Sequence, residues 1–314
     1  MTKKLSVWIT LILWGVSFLL ALVWLSTKEG SRVGKKTPVI GKRIAVIEIY
    51  GAITYEGETT GLMGLRTGGV QAWLEDLEKA VIDPMTVAII LRINSPGGTV
   101  GATQELYFAI QRAKEKGKVV VASFGDIAAS GGYYVATACD AIVSLPGTLT
   151  GSVGVMMQGF QYQKLLQKIG VEASVIKSGK NKDIFAGYRE MTPEEEEILF
   201  SVVSNTYEQF LSAVMKGRNL SREEAQPLCD GRIFTGEQAL QVKLVDRLGT
   251  FEDAVNLARE LAGLSPSTPI YYPAEEEMDW RKVLKRLSVM AKGGLSVGFP
   301  GLSSTKLWYY TTLE

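Results

Sequence analysis

The stretch Asp126 to Ala136, DIAASGGYYVA, sets Ser130 between small residues and a pair of glycines. A serine in that setting can be a nucleophile, or only the small residue that lets a helix start pack tightly against a sheet. Nucleophilic attack needs a base to take the hydroxyl proton. The 314 residues include no histidine, which removes the usual base of serine hydrolases, the base of papain-like cysteine enzymes and the commonest zinc ligand. Lysine, aspartate and glutamate remain. IKSGKNKDIF (Ile176 to Phe185) offers Lys177, Lys180 and Lys182 between apolar residues. A lysine with the ordinary pKa of about 10.4 is neutral about once in several thousand molecules at pH 7. Lowering it to about 7–8 takes roughly 3–5 kcal/mol, which burial can supply. The same segment also fits a solvated basic loop.

A second glycine-bearing motif, SPGG (Ser95 to Gly98), follows TVAIILRIN (Thr86 to Asn94), a nearly continuous apolar run of the kind found in parallel strands covered on both faces. DIAASGG likewise follows the apolar run VVVASF (Val119 to Phe124). Ligands bind where loops converge at the carboxyl ends of such strands, so both motifs belong on that edge. Glycines there let backbone N–H groups approach a substrate carbonyl closely.

The elements that must hold these motifs alternate between strand and helix. RIAVIEIYGAI (Arg43 to Ile53) is expected as a buried strand, Thr54 to Gly69 as a glycine-rich loop, and the stretch from Gln71 as a helix with Trp73, Leu74, Leu77 and Val81 on one stripe and Pro84 just past its end. A helix over about Gly101 to Lys116 follows. AIVSLP, GTLTGSVGV and a helix near Tyr162 to Ile169 complete an α/β domain with a mainly parallel sheet and right-handed crossovers. Thr192-Pro193-Glu194-Glu195 opens a long helix with a capping box, and Ile198, Leu199, Val202, Val203, Phe210, Leu211 and Val214 recur along it at helical spacing. Ser221 with Glu224 and Thr235 with Gln238 mark two more helix starts, and a last helix runs from Phe251 to Ala262. The domain is expected over 43–264. A tail over 265–314, with a basic amphipathic piece at Trp280 to Lys292, reads as solvated or lying on a membrane surface.

With 34 basic and 33 acidic residues there is no net field to gather nucleic acid or acidic substrates. Cys139 and Cys229 have neither disulfide nor metal spacing and are expected as small buried hydrophobes, and no metal or cofactor is required. The uncharged run Leu5 to Thr27 is long enough to cross about 30 Å of hydrocarbon, so residues 1–27 are expected as an uncleaved anchor and 28–42 as a linker. Lys28, Arg32, Lys35, Lys36, Lys42 and Arg43 follow the span while Lys3 and Lys4 precede it, so counting charges alone would keep the body in the cytoplasm.

Taken in order, INSPGG, DIAASGGYYVA, GTLTGSVGV, SGKNKDIF and FTGEQALQVKLVD resemble the signal peptide peptidase A (SppA) family of membrane-anchored serine peptidases, over about Arg43 to Leu264. SPGG alone also occurs in Clp-type peptidases and crotonase-fold enzymes. The resemblance implies an α/β fold similar to Clp peptidase and crotonase, with a mainly parallel sheet preceded by one N-terminal transmembrane helix. It implies a Ser/Lys dyad, with Ser130 as nucleophile and Lys182, in S-G-x-x-K-D, as general base; Lys177 and Lys180 fall outside that position. Ser152 in TGSVG would orient the lysine, and backbone N–H groups of Gly131 and of Gly97 or Gly98 would form the oxyanion hole. Tyr133 and Tyr134 are expected beside an apolar substrate groove, or equally as packing residues.

A single copy of the domain resembles the short form of the family, which implies a ring of eight protomers with each lysine supplied by a neighbour. The resemblance also implies a body outside the cytoplasmic membrane that cuts signal peptides left in it. Lys243 stands where the family commonly has glycine, and only an altered helix end is expected from that. Two rival readings are a Clp-like membrane peptidase of the NfeD-associated kind, which differs in substrate, and a non-catalytic membrane-tethered scaffold. A crotonase-like acyl-CoA enzyme is weaker, since an extracytoplasmic body meets no coenzyme A.

Overall fold

The computed structural model describes residues 41–275, except 57, 61–64 and 68, together with 308–310, Trp14 and Ser17. The chain divides into two units, Met1–Gly41 and Lys42–Glu314, and the strands described belong to the second. The expected anchor lies outside the described residues save for Trp14 and Ser17, as do most of the linker and most of the tail. Among the described residues no helix is long and apolar enough to cross a membrane.

In chain order come β1 (Arg43–Tyr50), the antiparallel pair β2 (Glu58–Thr60) and β3 (Leu65–Thr67), α1 (Val70–Ile82), β4 (Thr86–Ser95), β5 (Gly97–Thr99), α2 (Val100–Glu115), β6 (Val119–Ala129) and α3 (Gly131–Ala136). Then follow β7 (Ala141–Ser144), β8 (Leu149–Gly151), α4 (Gln163–Lys168), α5 (Pro193–Arg218), α6 (Arg222–Ala225) and β9 (Ile233–Thr235). The last are α7 (Gly236–Gln241), β10 (Arg247–Leu248), α8 (Phe251–Leu261), β11 (Ile270–Tyr271) and β12 (Trp308–Tyr310).

The main sheet has the order β10-β7-β6-β4-β1-β11, with each neighbouring pair parallel. Successive residues of a strand point to opposite faces, and here both faces are covered. Ile47, Ile49, Leu91, Ile93, Ala122 and Phe124 pack in the large core with α1, α2 and α3. Their sequence neighbours Val46, Ile90 and Val121 pack against Ala254, Leu257 and Ala258 of α8. This is why these strands read as unbroken apolar runs.

Helix starts follow the expected chemistry. Capping boxes form at Thr192/Glu195, Ser221/Glu224 and Thr235/Gln238. A fourth, at Thr250/Asp253, uses an aspartate where the usual pattern has glutamate or glutamine.

Three expectations change. The loop expected over Thr54 to Gly69 contains β2 and β3. β6 does not end at Phe124 but runs to Ala129. Its register shifts beside β4 between Ile93 and Ser95, where the Asn94 side chain accepts the Ile127 N–H at 3.1 Å, and β8 then pairs with its far end. The apolar stripe of α5 is buried only at its C-terminal half, at Phe210, Leu211 and Val214, whereas Ile198 and Val202 remain exposed.

Candidate active site

Ser130 occupies the joint between β6 and α3 with φ 52° and ψ −118°. A non-glycine residue there costs on the order of 1–3 kcal/mol and persists only when its surroundings impose it. They do so from both sides. The Ser130 N–H donates to Gly151 O at 2.8 Å, and the Tyr134 N–H donates to Ser130 O at 2.8 Å. The Ser130 hydroxyl is fully buried and has no hydrogen-bond partner. An unpaired buried hydroxyl costs about 1–3 kcal/mol, so a residue needed only for packing would be better as glycine on both counts.

Ser152 lies directly after the strand that holds Ser130. It too has positive φ, 49°, and its N–H donates to Arg232 O at 2.8 Å. Gly151 beside it has φ 77°, and a Cβ there would sit 2.6 Å from the Phe234 ring.

On the other side of Ser130 runs β5. The Gly97 N–H donates to Ser95 Oγ at 3.1 Å. Gly97 O accepts from Ile53 N–H at 2.8 Å, and Thr99 N–H donates to Ile53 O at 2.9 Å. Peptide groups alternate sides along a strand, so those of Gly98 face the opposite edge. A Cβ on Gly98 would lie 2.0 Å from Ile53 O, and one on Gly132 would lie 2.8 Å from Ser95 O. Both close approaches require glycine, and the second brings the start of α3 against the β4–β5 joint. Gly131, as the first residue of α3, has an N–H without an acceptor inside the helix. The free edge of β5 carries β12, antiparallel, with Trp308 opposite Thr99, Tyr309 opposite Gly98 and Tyr310 opposite Gly97. Part of the tail is thus a strand on the body rather than a solvated segment.

The expected groove tyrosines need correction. Tyr133 is fully buried, and its hydroxyl donates to Leu244 O at 2.7 Å. Tyr134 is 3% exposed, with its ring 4.9 Å from Tyr107 and 4.8 Å from Phe210. Burial pushes the Tyr134 phenol up to about 12. Both side chains belong to the core because α3 is an interior helix, so neither can line a groove. Lys243 takes φ 63° at the end of α7, where glycine would be unstrained. This helix end is not remote from the Ser130 turn, since the next residue, Leu244, accepts the Tyr133 hydroxyl. Cys139 and Cys229 are free and buried, as expected.

Lys182 lies in different surroundings. From Gly154 to Glu194 no residue is buried, and Lys182 is exposed within a series of turns. Of the three candidate lysines, Lys177 donates to Lys180 O and to Asp183 Oδ1, and Lys180 pairs with Glu194. Among the described residues the Lys182 amine makes no hydrogen bond or ion pair. One chain therefore brings Ser130, Gly131, Gly97, Gly98 and Ser152 together and leaves Lys182 unbonded to Ser130. Two features escaped the sequence: Ser95, whose hydroxyl occupies the Gly97 N–H, and a charge network about Asp183, Arg189 and Glu195. Among the described residues no cluster of Cys, Asp or Glu is placed to hold a metal ion.

Residues 112–265 match the model of Peptidase family S49. A Synechocystis sp. protein bearing the name "Putative protease slr0021" is 48% identical over 225 residues, 72% of this chain and 76% of that one. An Enterococcus faecium protein named "Putative signal peptide peptidase SppA" is 33% identical over 231 residues, 74% of this chain and 67% of that one. The chain belongs to the SppA family of serine peptidases, family S49. "Protease 4" of Salmonella typhi is 37% identical over 241 residues, which are 76% of this chain and 38% of that longer one. A solved structure of a ClpP1 mutant from Listeria monocytogenes aligns with a TM-score of 0.42 at 20% identity, covering 67% of this chain and 94% of that one. As an SppA-family peptidase, one chain presents a buried serine beside glycine N–H groups, with its candidate base on a separate arm.

Proposed function

We propose that this chain is a membrane-anchored serine endopeptidase that works through a Ser130/Lys182 dyad closed between two copies. The carrying observation is the buried, unpartnered Ser130 hydroxyl on a strained turn, while the lysine of the motif stands exposed and unpaired on an arm with no buried residue. Desolvation of Lys182 against a neighbouring copy supplies the neutral amine. That amine takes the Ser130 proton, Oγ attacks the peptide carbonyl, and the N–H groups of Gly131 and Gly98 hold the oxyanion. Gly98 is the better donor of the two β5 glycines because the Gly97 N–H already serves Ser95. The lysinium then protonates the leaving amine, and the neutral lysine activates water to release the acyl group. Ser152 would accept from the lysine and orient it.

An extended peptide on the edge of β5 that now carries β12 would meet both nucleophile and donors. Apolar segments such as remnant signal peptides suit a body tethered outside the membrane in a ring of eight. A peptidase of the NfeD-associated kind would share this chemistry and differ in its cleaved peptides.

The test mixes chains. Ser130→Ala and Lys182→Ala proteins, each inactive alone, are dissociated and reassembled together. Recovery of about a quarter of the sites is expected if serine and lysine come from different copies. No recovery would place the dyad within one chain, and activity in either pure variant would remove that residue from the dyad. Labelling of Ser130 by a fluorophosphonate, absent in Ser130→Ala, separates the peptidase from a scaffold.

A further inference from the structure

The turn that carries Lys182 has no buried apolar side chain to fix it, yet a general base must be held to within a fraction of an ångström. We infer that Asp183, Arg189 and Glu195 form a positioning clamp that ties the Lys182 turn to the first turn of α5. The inference rests on Lys182 being the base.

The connections are continuous. Asp183 accepts Arg189 Nε at 2.9 Å and Nη2 at 2.7 Å, the Tyr188 hydroxyl at 2.8 Å and Lys177 Nζ at 2.6 Å. The same guanidinium donates to both carboxylate oxygens of Glu195, with Nη1 to Oε2 at 2.8 Å. Glu195 Oε2 also accepts the Thr192 N–H at 2.9 Å in the capping box. α5 runs on for 26 residues into the core at Phe210, Leu211 and Val214. A rigid route thus leads from the core through α5, Glu195, Arg189 and Asp183 to the residue next to Lys182. A planar fork that serves two carboxylates at once sets direction as well as distance, which a lysine ammonium cannot do. Packing of Phe185 against Gly159, and the Tyr162 N–H donating to Gly187 O at 2.8 Å, hold the turn to the returning segment of the arm.

The clamp has a second effect. Asp183 is the nearest anion in sequence to Lys182, and an unpaired carboxylate there would favour the protonated amine. Lys177 and Arg189 occupy it instead, and they hold its carboxyl well below the usual range.

The test uses the full-length chain and an apolar peptide substrate, with Arg189→Ala, Arg189→Lys, Asp183→Asn and Lys182→Ala. Arg189→Ala is expected to lower kcat by about 10- to 100-fold with KM within about twofold. Arg189→Lys should fall between it and the parent. Because Asp183 then keeps Lys177 as its one cationic partner and more of its charge favours the protonated Lys182 amine, the acid limb of kcat/KM should move to higher pH in Arg189→Ala. It should not do so in Asp183→Asn, which loses kcat but has no anion to expose. Parental kcat and pH profile in Arg189→Ala, with Lys182→Ala inactive, would overturn the clamp and leave the dyad standing. Loss of activity that tracks loss of assembly in every clamp variant would overturn it in favour of an interface role. Activity in Lys182→Ala would instead remove the base itself.

Discussion

From Ala128 to Cys139 every residue is buried, whereas from Gly154 to Glu194 none is. The first region is fixed by packing: strands on both sides, glycines where backbone passes backbone, and a serine forced to positive φ. The second is fixed by turns and charges, and it presents large apolar side chains such as Phe160, Leu165, Ile169 and Ile176 to its surroundings. An apolar surface of that kind is what a contact with a second copy, as proposed above, would bury. The contrast teaches that the place of Ser130 is decided by packing within the chain, whereas on the proposed reading the place of Lys182 is only half decided there.

The largest break in this comparison should come from Ser130→Ala. Cleavage is expected to fall on the order of a thousandfold or more. The melting temperature should not fall, because the hydroxyl makes no hydrogen bond to lose. A drop of several degrees in a thermal melt would return Ser130 to a structural role. Next, Phe160→Asp or Phe200→Asp should leave the melting of the body unchanged, because these side chains are 75% and 72% exposed. Light scattering should show smaller assemblies, and activity should drop by about tenfold or more. Full activity in a monomeric variant would mean the arm is complete by itself.

A smaller effect is expected from ending the chain before Trp308, which clears the edge of β5. KM for peptides should fall by about three- to tenfold with kcat unchanged, since a tethered strand no longer competes. An unchanged KM would show that peptides bind elsewhere. The smallest effect concerns acid. Arg189 holds Glu195 down to about 2 and lowers Asp183 as well. Groups with depressed folded values stabilise above their unfolded pKa of about 4 and lose that contribution as pH falls toward the folded value. Amide NMR signals of the arm should therefore be unchanged between pH 7 and 5 and lose dispersion between about pH 4 and 2, before those of the body do.

Much of the body was legible in the sequence. Apolar runs gave β1, β4 and β6, and Thr or Ser three residues ahead of Glu or Gln marked the helix starts, because both signals are local. The SppA motifs pointed to Ser130, but its neighbours are small enough to suit either role. Its φ and its unpaired hydroxyl arise from contacts with β8 and α3 that no local pattern encodes. Tyr133 and Tyr134 suited a groove or the core equally well, and only the interior position of α3 decides for the core. Asp183 lies in a turn, Arg189 in a bend and Glu195 at a helix start, so no helix or strand periodicity links the three. The pairing of β12 with β5 joins segments some two hundred positions apart through backbone groups, which leave no trace in side-chain identity.

The edge of Gly97–Thr99 that β12 covers has main-chain groups and, at its two glycines, no side chain at all. A partner on such an edge is sorted by its shape rather than by its letters. A helical segment, whose N–H and C=O groups are spent on itself, must unwind over a few residues before it can lie there. A proline whose missing N–H falls opposite Gly98 breaks the ladder. Conformation, more than residue preference, then separates a loose peptide from a folded neighbour.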